Sequence, residues 1–268
     1  TDQSDADQAI YIKDLFTRKL LYSLLQTDTC GWEIARPSLK GNTEPYPHEL
    51  PWYTTLHHKG SFEYLCGATI ISSRAIVMTA SCSYKESKIG QRKLNETEIS
   101  LWLRDKSKQQ ISVSKIERHE DYNPGTHEND IALLQLSSDI EISYYHKLIC
   151  LWAEGEGEED YVTVFHEDRV GVNRKVSTTD CPTIDGSGKT LCAWYDGPLI
   201  SANSVSGLYT KIGKQWYLRG LVSNQKVNTT TAYSDRSGFI VFTDIAHYRP
   251  WIESKLRIGS PSVQQTED

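Results

Sequence analysis

Methionine is almost absent from this chain of 268 residues: Met78 is the only one, and the first residue is Thr1, so we expect a processed product whose leader has been removed. No apolar run approaches the roughly 20 residues that a membrane-spanning helix needs, and we expect no membrane insertion. A basic excess is also missing. With 29 Lys and Arg against 35 Asp and Glu, the formal net charge is −6, which argues against nucleic acid as the main partner, since phosphate binding needs a concentrated basic face. The cysteines lack the paired short spacings of a zinc site. The acidic run "EGEGEED" (154–160) fixes no ligand geometry, because glycines interrupt it. We expect neither a metal nor a cofactor.

What is present points outside the cell. Six cysteines, Cys30, Cys66, Cys82, Cys150, Cys181 and Cys192, form an even set that suits disulfides. Two sequons, at Asn95 and Asn228, are candidate glycosylation sites and fit the same compartment. We therefore expect a secreted, extracellular protein.

Along the chain, Ile10, Ile12, Leu15, Phe16, Leu20, Leu21, Leu24 and Leu25 recur at near-helical spacing, so residues 8–26 read as an amphipathic helix. It either packs on the rest of the chain or ends an upstream module of the same precursor. After Cys30 come about ten short runs rich in Val, Ile, Thr, Tyr and Trp, among them "PWYTTLHH", "AIVMTA", "DIALLQL" and "WYLRGLVS". Their spacing predicts an all-β sandwich or barrel, and "IAHYRPWIESKL" (245–256) reads as a closing helix. No internal repeat is visible.

Several of these runs carry a family resemblance. "CGATIISSRAIVMTASC", with Cys66 and Cys82 separated by 16 residues, "NDIALLQL", "LICLW" and "GLVSN" occur in the order found in the chymotrypsin-like (trypsin-fold) serine proteases. The resemblance runs from Cys30 to about Leu256. It implies an all-β domain of two six-stranded Greek-key barrels over residues 30–258, with an N-terminal helical segment (1–29), a C-terminal helix and a disordered tail (259–268). It also implies the bridges Cys30–Cys150 and Cys66–Cys82. Two readings of Cys181 stay open, and both leave it to pair with Cys192.

The family's chemistry needs a serine activated by a histidine that an aspartate orients. The gapless match between Cys66 and Cys82 puts Ser81 in the histidine position, and a hydroxyl has no proton-accepting form of suitable pKa near neutrality. Asp130 keeps the aspartate position. Matching "YDGPL" to the family's nucleophile loop puts Tyr195 in the serine position and Asp196 in that of a glycine. Ala193 and Trp194 then fall where the oxyanion turn and activation loop belong. No Ile-Val-Gly-Gly-like start precedes "PW" (51–52). A displaced histidine remains conceivable, with His57, His58, His119 and His127 as candidates.

The resemblance thus implies a catalytically inactive homologue, a pseudoprotease. The expected role is a binding cofactor or regulator of an extracellular protease cascade of the innate-immunity type, with a protease or zymogen as partner. The rival expectation is a receptor-binding or adhesion ligand built on the same fold.

Overall fold

The computed structural model describes residues 30–32, 50–61, 63–87, 90–103, 110–143, 145–153, 161–165, 169–177, 189–196, 205–223 and 237–258. The expected N-terminal helical segment, the tail after 258, Cys181 and Asn228 lie outside them.

The first half forms a closed six-stranded barrel. Its strands are β1 (Tyr53–His58), β2 (Tyr64–Ser72), β3 (Ala75–Met78), β6 (Ile99–Trp102), β7 (Gln110–Arg118) and β8 (Ala132–Leu136), ordered β1-β2-β3-β8-β7-β6 around the ring. A small hairpin, β4 (Tyr84–Ser87) and β5 (Gly90–Lys93), stands apart from it. In the second half, β10 (Tyr161–Phe165), β11 (Arg169–Ser177), β12 (Thr190–Asp196), β13 (Val205–Ile212), β14 (Gln215–Val222) and β15 (Ser237–Asp244) pair in the order β13-β10-β11-β12-β15-β14. The additional β13–β14 pairing closes that ring too. Short β9 (Cys150–Leu151) runs parallel to β14, and helix α1 (Ile245–Ile258) ends the described chain.

Numbered within each barrel, both rings read 1-2-3-6-5-4, so the halves repeat one topology that the sequence does not display.

Side-chain alternation explains how the barrels pack. On β3, Ile76 and Met78 face the interior of the first barrel while Ala75 and Val77 face outward; on β8, Ala132, Leu134 and Leu136 point in and Leu133 points out. The outward set does not meet water. Ile71, Val77, Ile131 and Leu133 pack with Trp52, Tyr209, Trp216, Leu218 and Leu221, and with Ile245, Tyr248 and Ile252 of α1. Each such side chain contributes about 1.5–3 kcal/mol when fully buried, so the seam between the barrels is as much a core as either interior. Polar contacts cross it as well, among them one between Thr69 Oγ1 and Tyr209 OH at 2.8 Å.

Two disulfides are placed, Cys30–Cys150 and Cys66–Cys82. Cys192 is also disulfide-bonded, to a partner outside the described residues. Among the described residues no helix is long and apolar enough to cross a membrane.

Candidate functional site

The segment Ile131–Leu136 is nearly all apolar and enters the barrel as β8, which leaves Asp130 at the strand's threshold, fully buried. A buried carboxylate must be hydrogen-bonded. Oδ1 accepts from the Ser81 backbone N–H at 2.7 Å. Oδ2 accepts from the Ser81 hydroxyl at 2.9 Å and from the Ser223 hydroxyl at 3.2 Å. The Asp130 carbonyl accepts from Thr243 Oγ1 at 3.1 Å. Ser81 comes from the turn after β3, whereas Ser223 and Thr243 come from β14 and β15, so Asp130 is held from both barrels. Tyr122 bonds to Ser81, and burial together with the nearby Asp130 charge pushes its phenol well above the usual range.

Of the four candidate histidines, His127 alone has a placed contact with Asp130. Its Nδ1 lies 3.6 Å from Asp130 Oδ2, longer than a hydrogen bond. That nitrogen is buried and has no hydrogen-bond partner, while the side chain stays 24% exposed. The backbone there is left-handed: φ is +60° at His127 and +54° at Asn129, a region uncommon for most side chains but enriched in Asn and His. Asn129 is fixed in that geometry by Lys189 Nζ and Tyr248 OH, which both donate to its Oδ1. His57 contacts Thr55, Tyr64 and Trp102 on β1 and its neighbours. His119 packs between Tyr248 and Trp251 of α1, where burial lowers its pKa.

Tyr195 lies within a strand. It is a residue of β12 and pairs with Gly238, whereas Thr243, the residue of β15 that touches Asp130, pairs with Thr190. Five residues separate Gly238 from Thr243, about 16 Å along an extended strand. Val241, whose carbonyl accepts from Ser223 N–H, pairs with Cys192, three residues before Tyr195. Ala193, Trp194 and Asp196 are likewise strand residues, paired with Ile240, Phe239 and Ser237 rather than set in an oxyanion turn. The side chains of Trp194, Tyr195 and Asp196 lie outside the described residues.

Ser223 N donates to Val241 O of β15, and on the other side of β14 runs β13. Gly207 pairs with Leu221, and continuing that register sets Ser206 level with Val222 and Val205 with Ser223. Ser206-Gly207 is the serine–glycine pair that the sequence reading passed over. Its signal was available, for "GLYTKIGKQWYLRGLVSN" is a hairpin ending in a run already recognised. Gly207 also has a packing reason, since a Cβ there would lie 2.9 Å from the Tyr209 ring. Ser223 was missed as a partner of Asp130 although its motif had been noted.

Asn95 stands exposed at the start of a short turn, Glu96–Glu98, where its Oδ1 accepts from the backbone and hydroxyl of Thr97. Among the described residues no group of three or more His, Cys, Asp or Glu could hold a metal ion.

Two barrels of one topology meeting at a buried aspartate held by serines from both halves define the trypsin fold. The trypsin family model matches residues 39–252, and the chain belongs to that family. It is 26% identical to chymotrypsin-C of Bos taurus over 91% of this chain and 98% of that protein. It is 28% identical to CLIP domain-containing serine protease B9 of Anopheles gambiae, over 85% of this chain and 65% of the relative. It is 25% identical to phenoloxidase-activating factor 1 of Holotrichia diomphalia, over 87% and 74% respectively.

Proposed function

We propose that the chain is a secreted trypsin-family homologue without peptidase activity, which binds a protease or zymogen of an extracellular cascade. The observation that carries this reading is Ser81. It supplies two of the hydrogen bonds on the Asp130 carboxylate, one to each oxygen, where the reaction would need an imidazole able to take a proton. Two relatives, a CLIP-domain protease and a phenoloxidase-activating factor, favour a cascade over a digestive role. Disulfides support the extracellular compartment, and Asn95 is the sequon we expect to be occupied. We take residues 30–258 as the domain and 259–268 as a tail. A rigid fold without turnover still presents loops for recognition. A receptor or adhesion ligand is the rival binding role, and capture of a protease or zymogen by the purified chain distinguishes the two.

A second reading has one observation in its favour, the approach of His127 to Asp130. In it, His127 acts as a relocated base. Against it, Ser81 and Ser223 already occupy Oδ2, so the imidazole competes with two hydroxyls for one oxygen. A fluorophosphonate probe applied to the purified protein tests both. We expect no labelling, because no serine is activated. Labelling that disappears in His127→Gln and in Ser206→Ala would establish the relocated base and overturn the inactive reading.

A further inference from the structure

Among the described residues, the exposed large apolar side chains are Trp32, Ile142 and Tyr145, at 43%, 47% and 52%. They share one region of the surface. The Gly31 N–H donates to Leu148 O at 2.7 Å, and Lys147 Nζ donates to the carbonyl of Trp32 at 3.2 Å. Ser143 N donates to His146 O, closing a turn between Ile142 and Lys147. This loop and the Gly31–Trp32 backbone are therefore neighbours. Trp32 also forms a bridge with Gln215, and its backbone is braced from behind, where Trp216 N donates to Gly31 O. Three large apolar side chains exposed on neighbouring segments, one of them on a braced backbone, are the kind of patch that marks a docking surface.

From this patch we infer that the amphipathic segment 8–26 packs, within the same chain, on the Trp32–Ile142 surface. Three observations select that occupant over a second copy or a foreign partner. The first is the tether: Cys30 is bonded to Cys150, two residues beyond Leu148, so the chain leaves residue 30 at the edge of the patch. The second is reach. Five residues separate Leu25 from Cys30, at most about 17 Å of extended chain, so Leu20, Leu21, Leu24 and Leu25 enter the patch region without unfolding anything. The third is need. An amphipathic segment of this length gains most of its order from burying its apolar face, and its eight apolar residues have that surface within the range the tether sets. The effective concentration of a tethered segment exceeds that of a free partner. The inference does not depend on the chemistry at Asp130, and it makes the N-terminal segment part of the domain's outer surface.

The test uses the full chain with a photoreactive benzoyl-phenylalanine in place of Ile142, an exposed position whose replacement leaves the barrels intact. Irradiation should give an intramolecular product at monomer mass whose cross-link maps to residues 8–26. Replacing Leu20, Leu21, Leu24 and Leu25 together with serine should reduce that product at least fivefold. Hydrogen exchange supplies a second measurement: in Trp32→Ser/Ile142→Ser, amides of 8–26 should exchange at least tenfold faster than in the unmodified chain, while β1, β2 and β8 are unchanged. A cross-link only to a second copy, no cross-link to 8–26, or exchange in that segment unaffected by the double substitution would each overturn the inference.

Discussion

Ser81 grips both oxygens of Asp130, with its backbone N–H on Oδ1 at 2.7 Å and its hydroxyl on Oδ2 at 2.9 Å. A serine can make this pair of bonds because its hydroxyl sits one carbon from the backbone that makes the other. The grip is short and local, and it leaves Oδ2 one further acceptor position, which Ser223 fills.

Ser81→Ala should cost about 1.5–3 kcal/mol in urea unfolding at neutral pH, the range for a hydrogen bond to a charged group. Ser81→Thr should cost much less, since it keeps the hydroxyl. A further outcome is specific to this site: with Oδ2 relieved of one donor, His127 Nδ1 should close from 3.6 Å to hydrogen-bond distance. A new downfield imidazole N–H resonance in Ser81→Ala, absent when His127 is also changed to Gln, would register it. An unchanged imidazole spectrum would count against the competition.

The α1 helix is pinned to the β7–β8 loop by Glu120, which accepts from Trp251 Nε1 at 2.8 Å and from Lys255 Nζ. These donors hold the Glu120 pKa at about 2, the Lys255 hydrogen bond being the largest cause. A carboxylate whose folded pKa is depressed stabilises fully above its unfolded value and loses that contribution as pH falls through the folded one. The gap in urea midpoint between the parent protein and Glu120→Gln should thus be constant above about pH 5 and shrink toward zero as pH approaches 2. A gap independent of pH would remove Glu120 from the account.

Gly31 has φ +71°, and a Cβ there would lie 2.4 Å from the Trp216 carbonyl oxygen. Gly31→Ala should lower stability by at least the 1–3 kcal/mol of a left-handed non-glycine residue, with the added clash measured by thermal unfolding. Gly60→Ala is the control. It also has positive φ, +96°, but nothing lies within 4 Å of its would-be Cβ, so it should cost less.

The two placed bridges should differ in what they hold. Cys66→Ser/Cys82→Ser removes a link inside the first barrel and should cost roughly 2–5 kcal/mol. Cys30→Ser/Cys150→Ser should leave both barrels folded and loosen the chain before residue 30. Limited proteolysis followed by mass mapping separates these outcomes; a Cys30–Cys150 variant that unfolds as a whole would contradict the assignment.

An all-β sandwich or barrel was legible in the spacing of short apolar runs and the two barrels only in the family resemblance, while the contact between Ser81 and Asp130 joins two motifs that lie far apart in the chain. The placing of Tyr195 rests on "YDGPL", a short local match, and pairing across β15 shows only that it is a strand residue. The repeated ring order is invisible for a related reason: strand neighbours are set by long-range pairing, while each strand's own letters record only which face is buried. Left-handed backbone at His127 and Asn129 could not be read either, since neither residue type demands it.

A buried acid bonded from two sides ties those sides together. Here Asp130 takes bonds from Ser81 of one barrel and from Ser223 and Thr243 of the other, and so acts as a keystone. Losing its carboxylate would leave the Ser81 and Ser223 hydroxyls without their acceptor, so an aspartate here has a structural use that speaks neither for turnover nor against it.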